Sequence, residues 1–399
     1  QLTVSLSTIR SGYELKNELL KYQADFYRKA SELARNEPVK AYVLNGGDDL
    51  TKTNSFLEIL LRHQINTYRL AEVLSHEDHN YPANSSYIVP LEQDQFRLIK
   101  AIFEKSTSFT DSLFYDVSAW TFPLAFDIKY SALEGKSFKN DLLGDKLIEI
   151  PELTGKVGAQ SSYAYLMKLD DYNSYKALYM ILKNNLKIKV ALKSFSTSER
   201  SEHDPGTILI PVKNQSKTED EVYDMLKKIS AKSNIDFSNI STGFNQAGID
   251  LGSPNMVNLE KPKVMMLVGN GVSSYEAGEV WHLLDKRFGI PLSMVDIDRF
   301  NRINLSRYNT IIMVSGNYSR ISGSSREKLE QLIKNGGNII GIKGGSKWLI
   351  DQKLANIKLK KTSRDTASIR NYGDMYQHLG AQNIGGSIFE ATLDLSHPL

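Results

Sequence analysis

The chain has 399 residues, with 49 Lys and Arg against 46 Asp and Glu, and a formal net charge of +3 at pH 7. With 41% hydrophobic and 24% charged residues the composition is that of a globular protein, which excludes a disordered tail, a collagen or a coiled-coil rod. So balanced a charge argues against nucleic acid or an anionic membrane as the main partner.

The absence of cysteine removes disulfides, thiolate zinc sites and cysteine nucleophiles together. No run approaches the ~18 apolar residues that would span a bilayer, so no transmembrane segment is expected. At ~150 residues per domain, two or three domains are expected. Gln1 stands where Met would, without a basic-then-apolar leader, so the sequence reads as a processed product or a fragment.

Residues 1–36 read as a long leading helix that links to a missing upstream domain. Leu2, Leu6, Ile9 and Tyr13, then Leu15, Leu19, Tyr22, Phe26, Ala30 and Leu33, recur at three- and four-residue steps, and Pro38 marks the stop. Such a stripe needs a partner surface, because isolated helices are marginal in water.

After Pro38 the period changes. Val39 to Leu44 is a strand that runs into Asn45-Gly46-Gly47-Asp48-Asp49. A helix with Phe56, Leu57, Leu60 and Leu61 follows, then strands near Thr67–Leu70 and Ser86–Leu91, then a helix with Phe96, Ile99, Ile102 and Phe103. Strand and helix in alternation predict a parallel sheet. The phrase recurs from Tyr163 and again from Val264. Strand centres at Tyr42 and Ile88, Tyr165 and Leu209, and Met266 and Ile312 lie 46, 44 and 46 residues apart. The spacing suggests related modules, although any run of βαβ units gives about the same interval. Residues 106–160 interrupt the rhythm with an aromatic-rich insert in which Trp120, Phe122 and Phe126 line a groove or fill a core. Residues 241–262, rich in Gly, Asn, Ser and Pro, read as a linker. The expected domains are therefore 37–258, as two related modules, and 259–399.

Chemistry is sought in the turns. Gly269-Asn270-Gly271 follows a strand and precedes a helix that opens at Ser273 and Ser274. Its amides could meet an anion, or the segment is a tight βα turn. Asn45, Gly46 and Gly47 carry the same two readings. His76-Glu77-Asp78-His79 is a local set of metal-type ligands without a third partner at a useful spacing, so no metal site is expected. Gly341-Ile342-Lys343-Gly344-Gly345 follows a strand and precedes a helix. Glycines that flank one central residue in this way have the layout of a nucleophile elbow, and the central residue is Lys343. A lysine attacks only where burial or a nearby cation depresses its pKa. The turn therefore reads as a vestigial elbow, with no catalytic residue assigned.

Four longer stretches point to a family. Tyr115–Phe126, Gly248–Pro254, Gly271–His282, and Gly380–Gly386 with Leu393–Leu399 together resemble the region that follows the catalytic domain in large bacterial zinc carboxypeptidases of the Bacteroidetes type. The segment from about residue 261 also resembles class I glutamine amidotransferase-like domains. These likenesses imply an exported, periplasmic or secreted, non-catalytic region. Its zinc would sit only in the missing peptidase domain, held by a His-x-x-Glu pair and a distant His that match no position here. The implied partners are that upstream peptidase domain and a peptide or cell-envelope substrate. The expected fold is α/β, with tandem parallel-sheet, flavodoxin-like modules behind the leading helix. The alternative is a small-ligand-binding module of periplasmic-binding-protein type, whose ligand would gather at the carboxyl ends of the strands.

Overall fold

A computed structural model describes residues 1–47, 49–105, 121–198 and 201–360, together with Asn371, Gly373, Met375, Ile388 and Ala391. Tyr115–Trp120 of the first family stretch, and all but Ile388 and Ala391 of residues 376–399, which include the fourth, lie outside the described residues. The fold is mixed α/β. It divides into two compact units, one built on Gln1–Leu153 and the other on Thr154–Thr366. No described helix is long and apolar enough to cross a membrane.

The first unit opens with α1 (Leu2–Glu14) and α2 (Lys16–Asn36). The helical ladder passes through the break at Leu15: its N–H donates to Ser11 and its carbonyl accepts from Leu19, both at 2.9 Å. Then follow β1 (Val39–Asn45), α3 (Leu50–Arg62), β2 (Tyr68–Leu70), the hairpin β3 (Leu74–His76) and β4 (His79–Tyr81), β5 (Ser86–Pro90), α4 (Phe96–Phe103), the short α5 (Phe122–Ala125), β6 (Tyr130–Glu134) and β7 (Leu143–Lys146). The sheet order is β6-β1-β5-β2-β7, and every neighbouring pair is antiparallel.

The expected parallel sheet is therefore corrected. β1 and β2 do run the same way, but β5 returns through the hairpin and inserts between them, a split β-α-β arrangement. The sequence misleads because β1 and β5 are buried on both faces and read as unbroken apolar runs, the usual mark of a parallel strand. Tyr42, Leu44 and Val89 pack under α3 and α4 on one face. Ala41, Val43 and Ile88 pack with Leu70, Tyr81, Leu133 and Leu142 on the other.

The second unit begins by repeating this order. β8 (Ala164–Met167), α6 (Ser174–Lys183), β9 (Lys189–Ala191), the hairpin β10 (Phe195–Ser198) and β11 (Ser201–His203), β12 (Ile208–Pro211), α7 (Glu219–Ser233), β13 (Ser238–Ile240), β14 (Ala247–Gly248) and β15 (Met256–Asn258) follow in turn. The main sheet is β13-β8-β12-β9-β15, again antiparallel throughout, with β12 inserted between β8 and β9 as β5 is between β1 and β2. Residues 241–262, read from sequence as a linker, supply β14 and β15 and bury Leu251 and Met256. Gly248 serves close approach here, since a Cβ on it would lie 2.4 Å from the Ser194 carbonyl.

The last module is the parallel one. β16 (Val264–Val268), α8 (Ser274–Trp281), β17 (Leu292–Asp296), β18 (Thr310–Met313), α9 (Ser324–Lys334), β19 (Asn338–Gly341) and α10 (Gly344–Asp351) form a sheet of order β17-β16-β18-β19. The neighbours are parallel throughout. The near-equal sequence offsets thus pick out adjacent strands in all three modules, but the pairing is antiparallel at Val43–Ile88 and parallel at Met266–Ile312.

Candidate functional site

Parallel strands end together, so the turns after them collect at one edge of the sheet, where ligands of such sheets bind. In the last module these turns are tied to one another. After β16 the chain turns through Gly269 and Gly271, both at positive φ. A Cβ on Gly269 would meet the Asp296 carboxylate at 2.9 Å, so this corner accepts only glycine against the end of β17. The turn after β18 lies alongside: Asn317 N–H donates to the Gly271 carbonyl at 2.9 Å, and Ser273 N–H donates to the Ser315 carbonyl at 2.8 Å.

Ser273 caps α8 by accepting the Glu276 N–H at 3.4 Å. In a full capping box the Glu276 carboxylate would turn back to the cap residue. Here it crosses to the neighbouring turn, where Oε2 accepts the Ser315 N–H at 2.7 Å and Oε1 lies 3.4 Å from Lys343 Nζ. Ser315 Oγ in turn accepts the Gly344 N–H at 3.1 Å, which fixes the start of α10. Burial by itself would raise the Glu276 carboxyl. The hydrogen bonds from Ser315 and the ammonium of Lys343 outweigh it and hold the group below the usual carboxylate range. Beneath them Tyr318 is buried and donates to the Val314 carbonyl at 2.8 Å. Burial, reinforced by the Glu276 charge, pushes its phenol up to about 12.

Lys343 sits in the turn between β19 and α10 at φ 47° and ψ −112°. A non-glycine residue there carries on the order of 1–3 kcal/mol of strain. The glycines on either side are dictated by contact: a Cβ on Gly345 would lie 2.1 Å from the Met313 carbonyl, and one on Gly341 2.7 Å from the Ser346 Cα. The arrangement presents residue 343 outward and places a carboxylate beside it. What it presents is an ammonium, 71% exposed and paired with Glu276.

Of the residues singled out from sequence, Gly269, Gly271, Ser273 and Lys343 join this network. Asn270 and Ser274 lie exposed at its rim. Glu276 and Ser315 were missed, although the Ser273-x-x-Glu276 spacing signals a helix start. Asn45, Gly46 and Gly47 belong to the first unit. Their turn closes on itself: Asn45 Oδ1 accepts the Gly47 N–H at 2.8 Å, and the Gly46 carbonyl accepts the Thr53 hydroxyl at 2.6 Å. A Cβ on Gly46 would strike the Ser85 carbonyl at 2.2 Å. Asp48 lies outside the described residues.

In the His76–His79 turn, His76 and Glu77 are engaged by β6. His76 Nε2 lies 3.2 Å from the Ala132 carbonyl, and Glu77 accepts from Ser131 Oγ at 3.0 Å. Among the described residues no group of three or more ligand-type side chains converges to hold a metal ion. A cavity of about 1060 Å³ in the first unit is walled by Tyr42, Phe103 and Tyr130. Of the lysines in its wall, Lys100 is held by Glu37 at 3.0 Å and Glu104 at 3.7 Å. No protein-family model, curated protein or solved structure matches the chain.

Proposed function

We propose that the chain is a non-catalytic accessory region of an exported zinc carboxypeptidase-type protein, which docks on the peptidase domain or presents peptide or cell-envelope substrate to it. The four long sequence stretches support the family part of this reading. The observation that carries the non-catalytic part is the ion pair at the elbow, where an attacking group would stand. There the elbow carries Lys343, paired with Glu276 at 3.4 Å, in place of the hydroxyl or thiol of an elbow nucleophile. The β17-β16-β18-β19 order and the strand–turn–helix at Lys343 support a class I glutamine amidotransferase-like, flavodoxin-like layout for the last module, since that sheet order begins the flavodoxin series.

Two measurements test the proposal. The purified chain is expected to release no C-terminal residue from peptides with or without added zinc, and zinc-dependent turnover would overturn the reading. The gene's reading frame upstream of Gln1 is expected to encode a His-x-x-Glu-bearing domain.

A second reading is a small-ligand-binding module of periplasmic-binding-protein type. It is favoured by the gathering of Gly269, Gly271, Ser273, Asn317 and Lys343 on one edge of the parallel sheet. A thermal-shift screen of sugars, nucleotides and amino acids without a hit counts against it.

A further inference from the structure

The leading helices carry a broad exposed apolar face. α1 buries no residue, and α2 buries only Ala30 and Ala34, which pack into the core under β1. Twelve large apolar side chains from Leu2 to Leu33 are 36–83% exposed.

Numbered in heptads with Leu6 at a, the a positions hold Leu6, Tyr13, Leu20, Tyr27 and Ala34. The d positions hold Leu2, Ile9, Lys16, Gln23 and Ala30, and Leu19, Phe26 and Leu33 fall at g. This is the a/d/g face of a helix built to pack. Apart from Lys16 at d and Arg10 at e, the charges of these helices up to Arg28 lie at b and f on the far side, where Arg28 pairs with Asp25; Glu14 pairs with Arg10. The lower end of the face rests on the first module. The upper end, Leu2 to Tyr27, continues past it, met at Phe26 by Arg97, whose guanidinium lies 4.2 Å from the ring centroid. Its side chains expose on the order of 900 Å², beyond the ~300–600 Å² patch of an ordinary monomer and close to the ~800 Å² per partner of a stable interface.

We propose that a second copy of this chain covers this face, its α1–α2 lying antiparallel across the two-fold axis at the break near Leu15. The register follows from charge. A parallel pair would set Lys16 against Lys16 at d. The antiparallel pair sets Lys16 against the Tyr13 ring and aligns Ile9 with Leu20, Leu6 with Gln23, and Leu2 with Tyr27. Arg10 is the one charged residue at the e and g positions that flank those layers, and it is paired with Glu14 of its own helix; Ser5, Gly12 and Ala24 keep the rest of the flanks small. The overlap stops short of Ala30, where the first module takes over the face. The interface is isologous, the commonest kind among homo-oligomers.

The chain's lack of cysteine makes the test clean. Sedimentation equilibrium at micromolar concentration is expected to give twice the 45.0 kDa chain mass. Leu6→Asp and Leu20→Asp, at positions outside every module core, are expected to weaken the dimer roughly a hundredfold each while leaving the melting curve of the modules in place. The double variant Ile9→Cys/Leu20→Cys is expected to form a covalent dimer on mild oxidation. Within one chain these positions lie about 16 Å apart along the helix, too far for a disulfide, so any cross-link is between copies. Neither single variant is expected to cross-link. A monomer throughout, a dimer indifferent to both Asp variants, or a cross-link from Ile9→Cys alone would each overturn the proposal.

Discussion

Glu276 and Lys343 face each other at 3.4 Å across the carboxyl edge of the parallel sheet, one from the first turn of α8 and the other from the turn into α10. The pair joins two crossovers, through Ser315 between them, and gives the elbow its charge pattern. Its consequences are open to measurement.

Strain at Lys343 predicts an order of stabilities. Glycine accepts positive φ freely, whereas a β-branched residue is a clear outlier there. Lys343→Gly is expected to equal or exceed the parent, by up to about 1 kcal/mol, because relief of strain offsets the loss of a surface ion pair and the flexibility of glycine when unfolded. Lys343→Val is expected to cost about 2 kcal/mol. Urea unfolding gives both values, and a valine variant more stable than the glycine one would remove strain as the explanation.

Contact at Gly345 predicts that size alone is refused. Gly345→Ala would drive a methyl to 2.1 Å from the Met313 carbonyl and is expected to cost about 3 kcal/mol. Gly278, inside α8 with nothing within 4 Å of its Cβ position, supplies the contrast. Gly278→Ala is expected to stabilise by about 0.5–1 kcal/mol through helix propensity. Melting temperatures of the two variants moving in the same direction would contradict the packing described here.

Glu276 predicts a pH-dependent contribution. Its carboxyl is lowered in the folded chain from an ordinary 4.5, so the stabilisation is complete above that value and is lost as pH falls through the lowered one. Glu276→Gln is expected to be less stable than the parent at pH 7, with the gap closing in acid. Unfolding measured from pH 7 to pH 3 tests this, and a gap constant with pH would show that the charge contributes nothing.

His203 predicts acid sensitivity in the second unit. It is buried, stacks on Phe195 at 4.8 Å between ring centroids, and has Nε2 3.2 Å from Thr197 Oγ1. Burial first, then the nearby Lys168, lowers its pKa from 6.5 against the opposing charge of Asp204. A neutral imidazole is therefore part of the fold. That stability is present above pH 6.5 and lost as pH falls through the lowered value. His203→Phe is expected to flatten this segment of the stability–pH curve, and an unchanged slope would exclude His203 as its source.

Much of the local structure is legible in the residues themselves. The leading helix and its stop before Pro38, most strands of the three modules, and the strand–turn–helix around Lys343 follow from period, proline and glycine, because each is decided within a few residues along the chain. The glycines of Gly341–Gly345 even mark the contacts that the helix start makes with β18 and α10.

Strand direction in the first two modules is another matter. β1 followed by α3 and β2 reads alike whether β2 lies beside β1 or one strand away. Only the return of β5 between them, and of β12 between β8 and β9, decides it, and that pairing joins residues tens of positions apart. The same holds for the site. Ser273-x-x-Glu276 announces a helix cap, but nothing near it in sequence says that the carboxylate will leave its cap for Ser315 and Lys343. Sequence set the turns one by one. Their meeting at a single sheet edge was settled by the tertiary fold, because ion pairs and hydrogen bonds act through space over a few ångströms and take no account of distance along the chain.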